Sequence, residues 1–126
     1  MRLTFEHRYR VIETKDDADR GRWKATTVAY LYDIDDEVGE LLAYHWHPVG
    51  HHADPRPHLH IRTDEGGRIW LPAGRVAVEE IIRLLVEQFE VAPQRNDWEQ
   101  ILDEAQTAFE TWRTWGMTPP PTAQSR

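Results

Sequence analysis

The sequence predicts an α+β fold: an antiparallel meander of about five strands, followed by two C-terminal helices packed on one face of the sheet. Up to residue 72, apolar and polar residues alternate in runs separated by turn residues, as in half-buried strands. After residue 72, apolar residues recur every three or four positions, as on amphipathic helices. We therefore expect one domain over residues 1–116 and a flexible Pro-rich tail over residues 117–126.

Five segments carry the strand pattern, and each is bounded by turn or loop residues. They cover residues 3–12, 23–34, 40–47, 58–63 and 68–71. A loop with three prolines, Pro48, Pro55 and Pro57, is expected before the fourth strand. The sequence Asp64-Glu65-Gly66-Gly67 between the last two strands is the clearest hairpin signal in the chain.

Two helices are predicted in the last third of the chain. Apolar side chains at helical spacing indicate the first over residues 78–90, and Pro93 ends it. Asn96 and Glu99 have the spacing of a capping box before a second apolar stripe that reaches Trp112. The short break between the two helices favours a helical hairpin.

Composition limits the classes of function. The net charge of −7 disfavours loose, charge-driven binding to nucleic acid, although it permits an enzyme with a local patch of arginine and histidine. The chain has no cysteine, so a transition metal would have to be held by histidine with aspartate or glutamate. No apolar run is long enough to cross a bilayer, and we expect a cytoplasmic protein without membrane contact.

Histidine is concentrated in one stretch, since six of the seven histidines lie between residues 45 and 60. Residues two apart in a strand point to the same face, so each His-x-His pair shares a face. If the third and fourth strands are neighbours with their apolar sides toward the core, both pairs lie on the opposite surface. The four histidines of this surface are His45, His47, His58 and His60, and Arg62 follows in line.

The first interpretation of this surface is catalytic. A neutral histidine can take a proton while a protonated one gives a proton, which is the arrangement needed to cleave RNA without a metal. His58 and His60 are the best candidates, with His45 and His47 as partners, and Arg62 is placed to neutralise charge in the transition state. This interpretation predicts a toxin-like ribonuclease that uses RNA as its substrate and requires no cofactor.

The second interpretation is a non-enzymatic module. Two His-x-His pairs on adjacent strands can surround Zn²⁺ or another divalent transition metal. The candidate ligands are His45, His47, His58 and His60, to which Asp54 or Asp64 could add an oxygen. The same histidines could also form a polar sheet face covered by a protein partner. The sequence does not distinguish these alternatives, nor does it give the oligomeric state.

Three short motifs resemble a known family. Tyr44-His45-Trp46-His47, Gly50-His51-His52 and Pro57-His58-Leu59-His60 are similar to the central part of the TumE-type small toxins of bacterial toxin–antitoxin systems. The resemblance covers residues 40–91 and implies an intracellular toxin directed at RNA and neutralised by a separate antitoxin protein. The segment of residues 71–75 and the long second helix have no counterpart in it, so a distinct His-rich bacterial family is the other interpretation.

Overall fold

The computed structural model describes residues 1–13, 22–49 and 54–112. Its elements are β1 (Arg2–Glu13), β2 (Trp23–Asp35), β3 (Glu40–His47), β4 (Asp54–Arg62), β5 (Arg68–Pro72), α1 (Val78–Gln88) and α2 (Trp98–Trp112). The strands form one antiparallel sheet in the order of the chain. The predicted meander followed by two helices is confirmed, whereas the predicted tail lies outside the described residues.

The start of β4 differs from the prediction, because Pro55 and Pro57 lie inside this strand rather than in the loop before it. Proline has no N–H to donate to a neighbouring strand, so it is tolerated only where the ladder does not require one. β5 pairs with β4 only from His58 onward, and the Pro57 carbonyl accepts the N–H of Ala73 at 2.9 Å. The two prolines therefore occupy the part of β4 that the regular β4–β5 ladder does not reach.

The hairpin between β4 and β5 is confirmed. Thr63 N donates to Gly67 O, and Gly66 N donates to Thr63 O, both at 3.0 Å. Gly66 has a φ of +79°, a backbone conformation that residues with a side chain rarely adopt. This turn sets the β4–β5 register, in which His60 faces Trp70.

The core lies between one face of the sheet and α1. Tyr30, Tyr32 and Ile34 of β2 are buried against Ile81 and Leu85 of α1. The rings of Tyr30 and Tyr32 stack with their centroids 4.7 Å apart, and the Tyr30 hydroxyl accepts the N–H of Val76 at 3.1 Å. This hydrogen bond ties the segment that leads into α1 to the centre of the sheet.

The second helix lies beside the first. Leu102 of α2 is buried, and Arg83 of α1 donates to the Asp103 carboxylate of α2 at 2.6 Å. His7 belongs to β1 and pairs with Tyr30, so it lies on the helix-covered side of the sheet, where its Nε2 is 2.8 Å from Thr27 Oγ1. Over the described ranges, no helix is both long enough and apolar enough to span a membrane.

The packing of α1 predicts a large difference between two adjacent isoleucines. Ile81 is 1% exposed in the core, whereas Ile82 is 37% exposed. We expect Ile81→Ala to lower the free energy of unfolding by about 2–5 kcal/mol, because it leaves a cavity, and Ile82→Ala to lower it by less than about 1 kcal/mol. Urea unfolding followed by circular dichroism measures both. Equal losses would contradict this description of the core.

Candidate functional site

The register of β3 and β4 brings the histidines together. His45 lies opposite His58, and Ala43 lies opposite His60. On the other side of the same two strands, Tyr44 faces Leu59. The histidines therefore lie on the sheet face away from α1, as the alternating pattern predicts.

Three of the imidazoles form a close cluster. His45, His58 and His60 each offer a ring nitrogen, and these three atoms all lie within 4.8 Å of one another. The ring centroids are 5.0 Å apart for His45 and His60, 5.0 Å for His58 and His60, and 5.7 Å for His45 and His58. His58 is only 4% exposed. We refer to these three residues as the His cluster.

Ala43 makes room for the His cluster. It is fully buried and lies directly between Asp33 of β2 and His60 of β4 in the register of the sheet. A methyl group leaves space on this face for His45 and His60, which are diagonal neighbours, to lean toward each other. Ala43 could not be identified from the sequence, because an alanine in a strand carries no chemical signal.

Asp33 orients His45 and is a site residue that was not predicted from the sequence. Its Oδ1 lies 2.7 Å from His45 Nε2. A carboxylate accepts a hydrogen bond, so Nε2 carries the hydrogen, and in the neutral ring the lone pair is on Nδ1. The available signal was a carboxylate flanked by Tyr32 and Ile34, which places it on the face away from the core.

His58 is oriented in the same manner by the backbone. Its Nδ1 donates to the carbonyl of Arg56 at 3.0 Å. In the neutral ring the lone pair of His58 is therefore on Nε2. A carboxylate on one ring and a carbonyl on the other thus fix which nitrogen of each histidine is the electron-pair donor.

His60 is the exceptional member of the His cluster. Both of its ring nitrogens are buried, and neither has a hydrogen-bond partner among the residues that the structure describes. Burial, together with the smaller effects of the positive charges of protonated His45, Arg68 and protonated His58, lowers the pKa of His60 to about 4, against an opposing effect of Asp33. Buried polar atoms are almost always hydrogen-bonded, so these two nitrogens require a physical explanation.

His47 borders the cluster without joining it. Its ring meets the His58 ring edge-on, with centroids 5.1 Å apart, and lies 6.1 Å from the His45 ring. Among the described residues, only the ring nitrogens of His45, His58 and His60 form a group within 4.8 Å, and His47 is not part of it. Its role as a ligand or an acid–base group stays a prediction, and His51, His52 and the Asp54 side chain lie outside what the structure describes.

Arg62 is engaged at the end of β4. Its guanidinium donates to both carboxylate oxygens of Asp36, one of them at 2.9 Å, and to the Gly39 carbonyl at 3.3 Å. Arg62 holds the pKa of the Asp36 carboxyl well below its usual range. These contacts tie β4 to the turn between β2 and β3. A part for Arg62 in catalysis stays a prediction, and it would require a substrate to compete with Asp36.

An aromatic ring forms one rim of the site. Trp70 of β5 stacks on His58 with centroids 5.5 Å apart and rings inclined by 28°. The Arg56 guanidinium lies 4.9 Å from the centroid of Trp70. Trp70 is 39% exposed, so the His cluster has a partly open side toward β5.

The arrangement places two histidines of fixed orientation beside His60, whose buried ring nitrogens have no hydrogen bond within the described residues. Chemically, it can bind an electron-pair acceptor at the centre of the three rings, or it can exchange protons between them. Comparison with known proteins does not choose between these uses, since no protein-family model, no curated protein and no solved structure matches the chain. The assignment of function therefore depends on the geometry.

The environment of His60 predicts how stability depends on pH in the metal-free protein. Between pH 6.5 and about 4 the unfolded His60 binds a proton and the folded one does not, so this residue makes the free energy of unfolding fall as the pH falls. His60→Leu removes this contribution and gives a shallower dependence. Urea unfolding in EDTA between pH 4 and 7 measures the difference. A His60 NMR titration midpoint near 6.5 would contradict the buried environment.

Proposed function

We propose that this protein binds one divalent transition metal ion, with Zn²⁺ as the leading candidate, through His45, His58 and His60. The observation that carries the proposal is the pair of buried ring nitrogens of His60, which lack hydrogen bonds within the described residues and lie among the donors of two other imidazoles. A metal ion would use one nitrogen of His60 and offset the loss of its hydration.

The hydrogen bonds of the other two rings support the same proposal. A metal-binding histidine typically donates its second N–H to a carboxylate or a backbone carbonyl, which fixes the tautomer and raises the basicity of the donor nitrogen. His45 has this contact with Asp33, and His58 has it with the Arg56 carbonyl. Binding through Nδ1 of His45 and Nε2 of His58 leaves both contacts intact.

The distances are compatible with a metal ion of this class. Zn–N bonds of about 2.0–2.1 Å in a tetrahedral site place donor nitrogens about 3.3 Å apart. One ring nitrogen from each of the three histidines lies within 4.8 Å of the other two, so the rings would have to move closer together to bind the ion. Imidazole ligands suit zinc, copper, iron and nickel, whereas calcium and magnesium prefer oxygen.

Three nitrogens leave one position of a tetrahedral ion open. Structural zinc sites are usually closed by four protein ligands, whereas catalytic sites keep a position for water or substrate. Within the described residues, the set of mutually close donors stops at three histidines. A site with these three ligands alone would have a position for a water molecule or a substrate.

A specific observation also supports the metal-independent ribonuclease as a second candidate. The lowered pKa of His60 keeps this ring neutral near pH 7, beside His45, whose N–H is held by Asp33. The neutral His60 ring could accept a proton, and the His45 ring, supported by the Asp33 carboxylate, could donate one, as in an acid–base pair. The link to toxins directed at RNA, and to an antitoxin partner, remains part of this second proposal.

Zinc should stabilise the folded protein. At a free concentration 100 times the Kd, binding adds about 2.7 kcal/mol, which raises the melting temperature by roughly 10 °C for a chain of this size. We expect His45→Ala, His58→Ala and His60→Ala each to abolish most of this shift. His7→Ala, on the opposite face, should keep it. No shift and no bound metal in elemental analysis would overturn the proposal.

Asp33 provides a finer test of the same site. Loss of a contact that orients a metal ligand typically weakens metal binding by about 10–100-fold. We expect this loss for Asp33→Asn in a competition titration against a chromophoric zinc chelator. Asp35→Asn is the matched control, because Asp35 lies on the same strand and pairs with Arg2 at 2.9 Å instead. Equal effects of the two substitutions would show that Asp33 does not act through His45.

The two candidate functions predict different results with RNA. A metal-independent ribonuclease cleaves single-stranded RNA in EDTA and loses this activity in His58→Ala and His60→Ala. A metal-dependent activity is absent in EDTA and returns on addition of Zn²⁺. His7→Ala serves as the control in both cases. Cleavage in EDTA that survives both substitutions would exclude the His cluster as its source.

A further inference from the structure

The outer edge of β5 carries an interaction surface. β5 is the last strand of the sheet, and no other strand in the described part of the chain pairs with its outer side. All five of its residues are exposed, including three consecutive large apolar ones. Their exposed fractions are 47% for Ile69, 39% for Trp70 and 41% for Leu71. Exposed apolar edge strands readily pair with another strand.

The opposite edge of the sheet does not have this character. β1 also exposes the apolar residues Phe5, Tyr9 and Val11, but exposed charged residues interrupt them along the strand, namely Arg2, Glu6, Arg8, Arg10 and Glu13. Charges along an edge strand disfavour pairing with another chain. On β5 the one charged residue is Arg68, at the end of the strand, where it pairs with Glu40 at 2.8 Å. The two edges therefore differ in their capacity to accept a further strand.

The hydrogen bonds of the β4–β5 hairpin show which groups of β5 point outward. Thr63 N donates to Gly67 O, and Ala73 N donates to Pro57 O. In an antiparallel pair every second residue bonds to the neighbouring strand, so Ile69 and Leu71, which lie between Gly67 and Ala73, also direct their N–H and C=O toward β4. The alternating residues direct theirs away from it. The outward groups are the N–H and C=O of Arg68 and Trp70 and the C=O of Pro72.

We infer that two copies of this chain pair through β5, antiparallel and centred on Trp70, to form one continuous ten-stranded sheet. In this register the two Trp70 residues exchange both N–H···O bonds, and each Arg68 N–H donates to the partner's Pro72 carbonyl. The N–H groups of Arg68 and Trp70 are then both hydrogen-bonded. Pro72, the third outward residue, has no N–H that would need a partner.

The side chains fit the same register. Ile69 faces the partner's Leu71 on the helix side of the sheet, and the two Trp70 rings lie next to each other on the histidine side. Arg68 faces Pro72 of the partner subunit, so like charges do not oppose each other. A second copy therefore matches this edge in its hydrogen bonds, its apolar surface and its charge, and it completes the strand symmetrically.

Pairing would also complete the rim of the His cluster. Trp70 stacks on His58 in one protomer, and the partner's Trp70 would lie beside it. With strands about 4.8 Å apart, the two β4 strands would lie about 14 Å apart, and the two His clusters would share one face of the joint sheet. The pairing uses no metal ion, so it can fail while the proposed function holds, and the reverse is also true.

Cross-linking of single cysteines tests the register, since the natural chain has no cysteine. Purified Ile69→Cys and Leu71→Cys chains, carrying different tags, are mixed and oxidised. The inferred register places these positions about 4.5 Å apart between Cα atoms, within the range of a disulfide, whereas a residue and its own copy are about 7–8 Å apart. We expect the mixed pair to cross-link much faster than either chain alone. Val11→Cys, on the exposed part of β1, is the control.

Light scattering of the full chain tests the dimer directly. We expect twice the monomer mass for the natural chain and for Val11→Lys, and a dimer dissociation constant raised by about tenfold or more for Ile69→Lys. Circular dichroism and zinc binding should be unchanged in both variants. A monomer at all concentrations without the mixed cross-link, or equal cross-linking of Val11→Cys, would overturn the inference.

Discussion

The register between β3 and β4 is the constraint on which both faces of the sheet depend. It sets His45 against His58 on one side and Tyr44 against Leu59 on the other. A shift of one residue would turn the imidazoles toward α1 and expose apolar residues to water. The hydrophobic core and the His cluster are therefore specified by the same pairing, and a one-residue shift would disrupt both.

Much of the fold could be predicted, because the signals are local. Alternation of polar and apolar residues defines a strand and its two faces, and a glycine-rich pair such as Gly66-Gly67 defines a turn. The start of β4 could not be predicted, since Pro55 and Pro57 are loop residues by composition and are accommodated only because β5 leaves that part of β4 unpaired. That condition depends on the length of another strand.

The site was predictable in part for the same reason. Two His-x-His pairs are visible in the sequence, and their shared face follows from strand geometry. Asp33 and Ala43 became evident only from the structure, because their parts depend on cross-strand neighbours. Asp33 is a carboxylate diagonally across from His45 on the neighbouring strand, and Ala43 is small enough to leave space for the rings. Spacing along a single strand does not encode such relations.

The His cluster consists only of nitrogen donors. Thiolate ligands can be oxidised to sulfenic and higher acids, which releases a bound metal, whereas imidazole does not enter that series of reactions. Because the chain contains no cysteine, oxidants have no thiol to attack at this cluster or elsewhere in the protein. A zinc ion held by these three rings would be released by acid or by a competing chelator, but not by the thiol oxidation that empties cysteine-based sites.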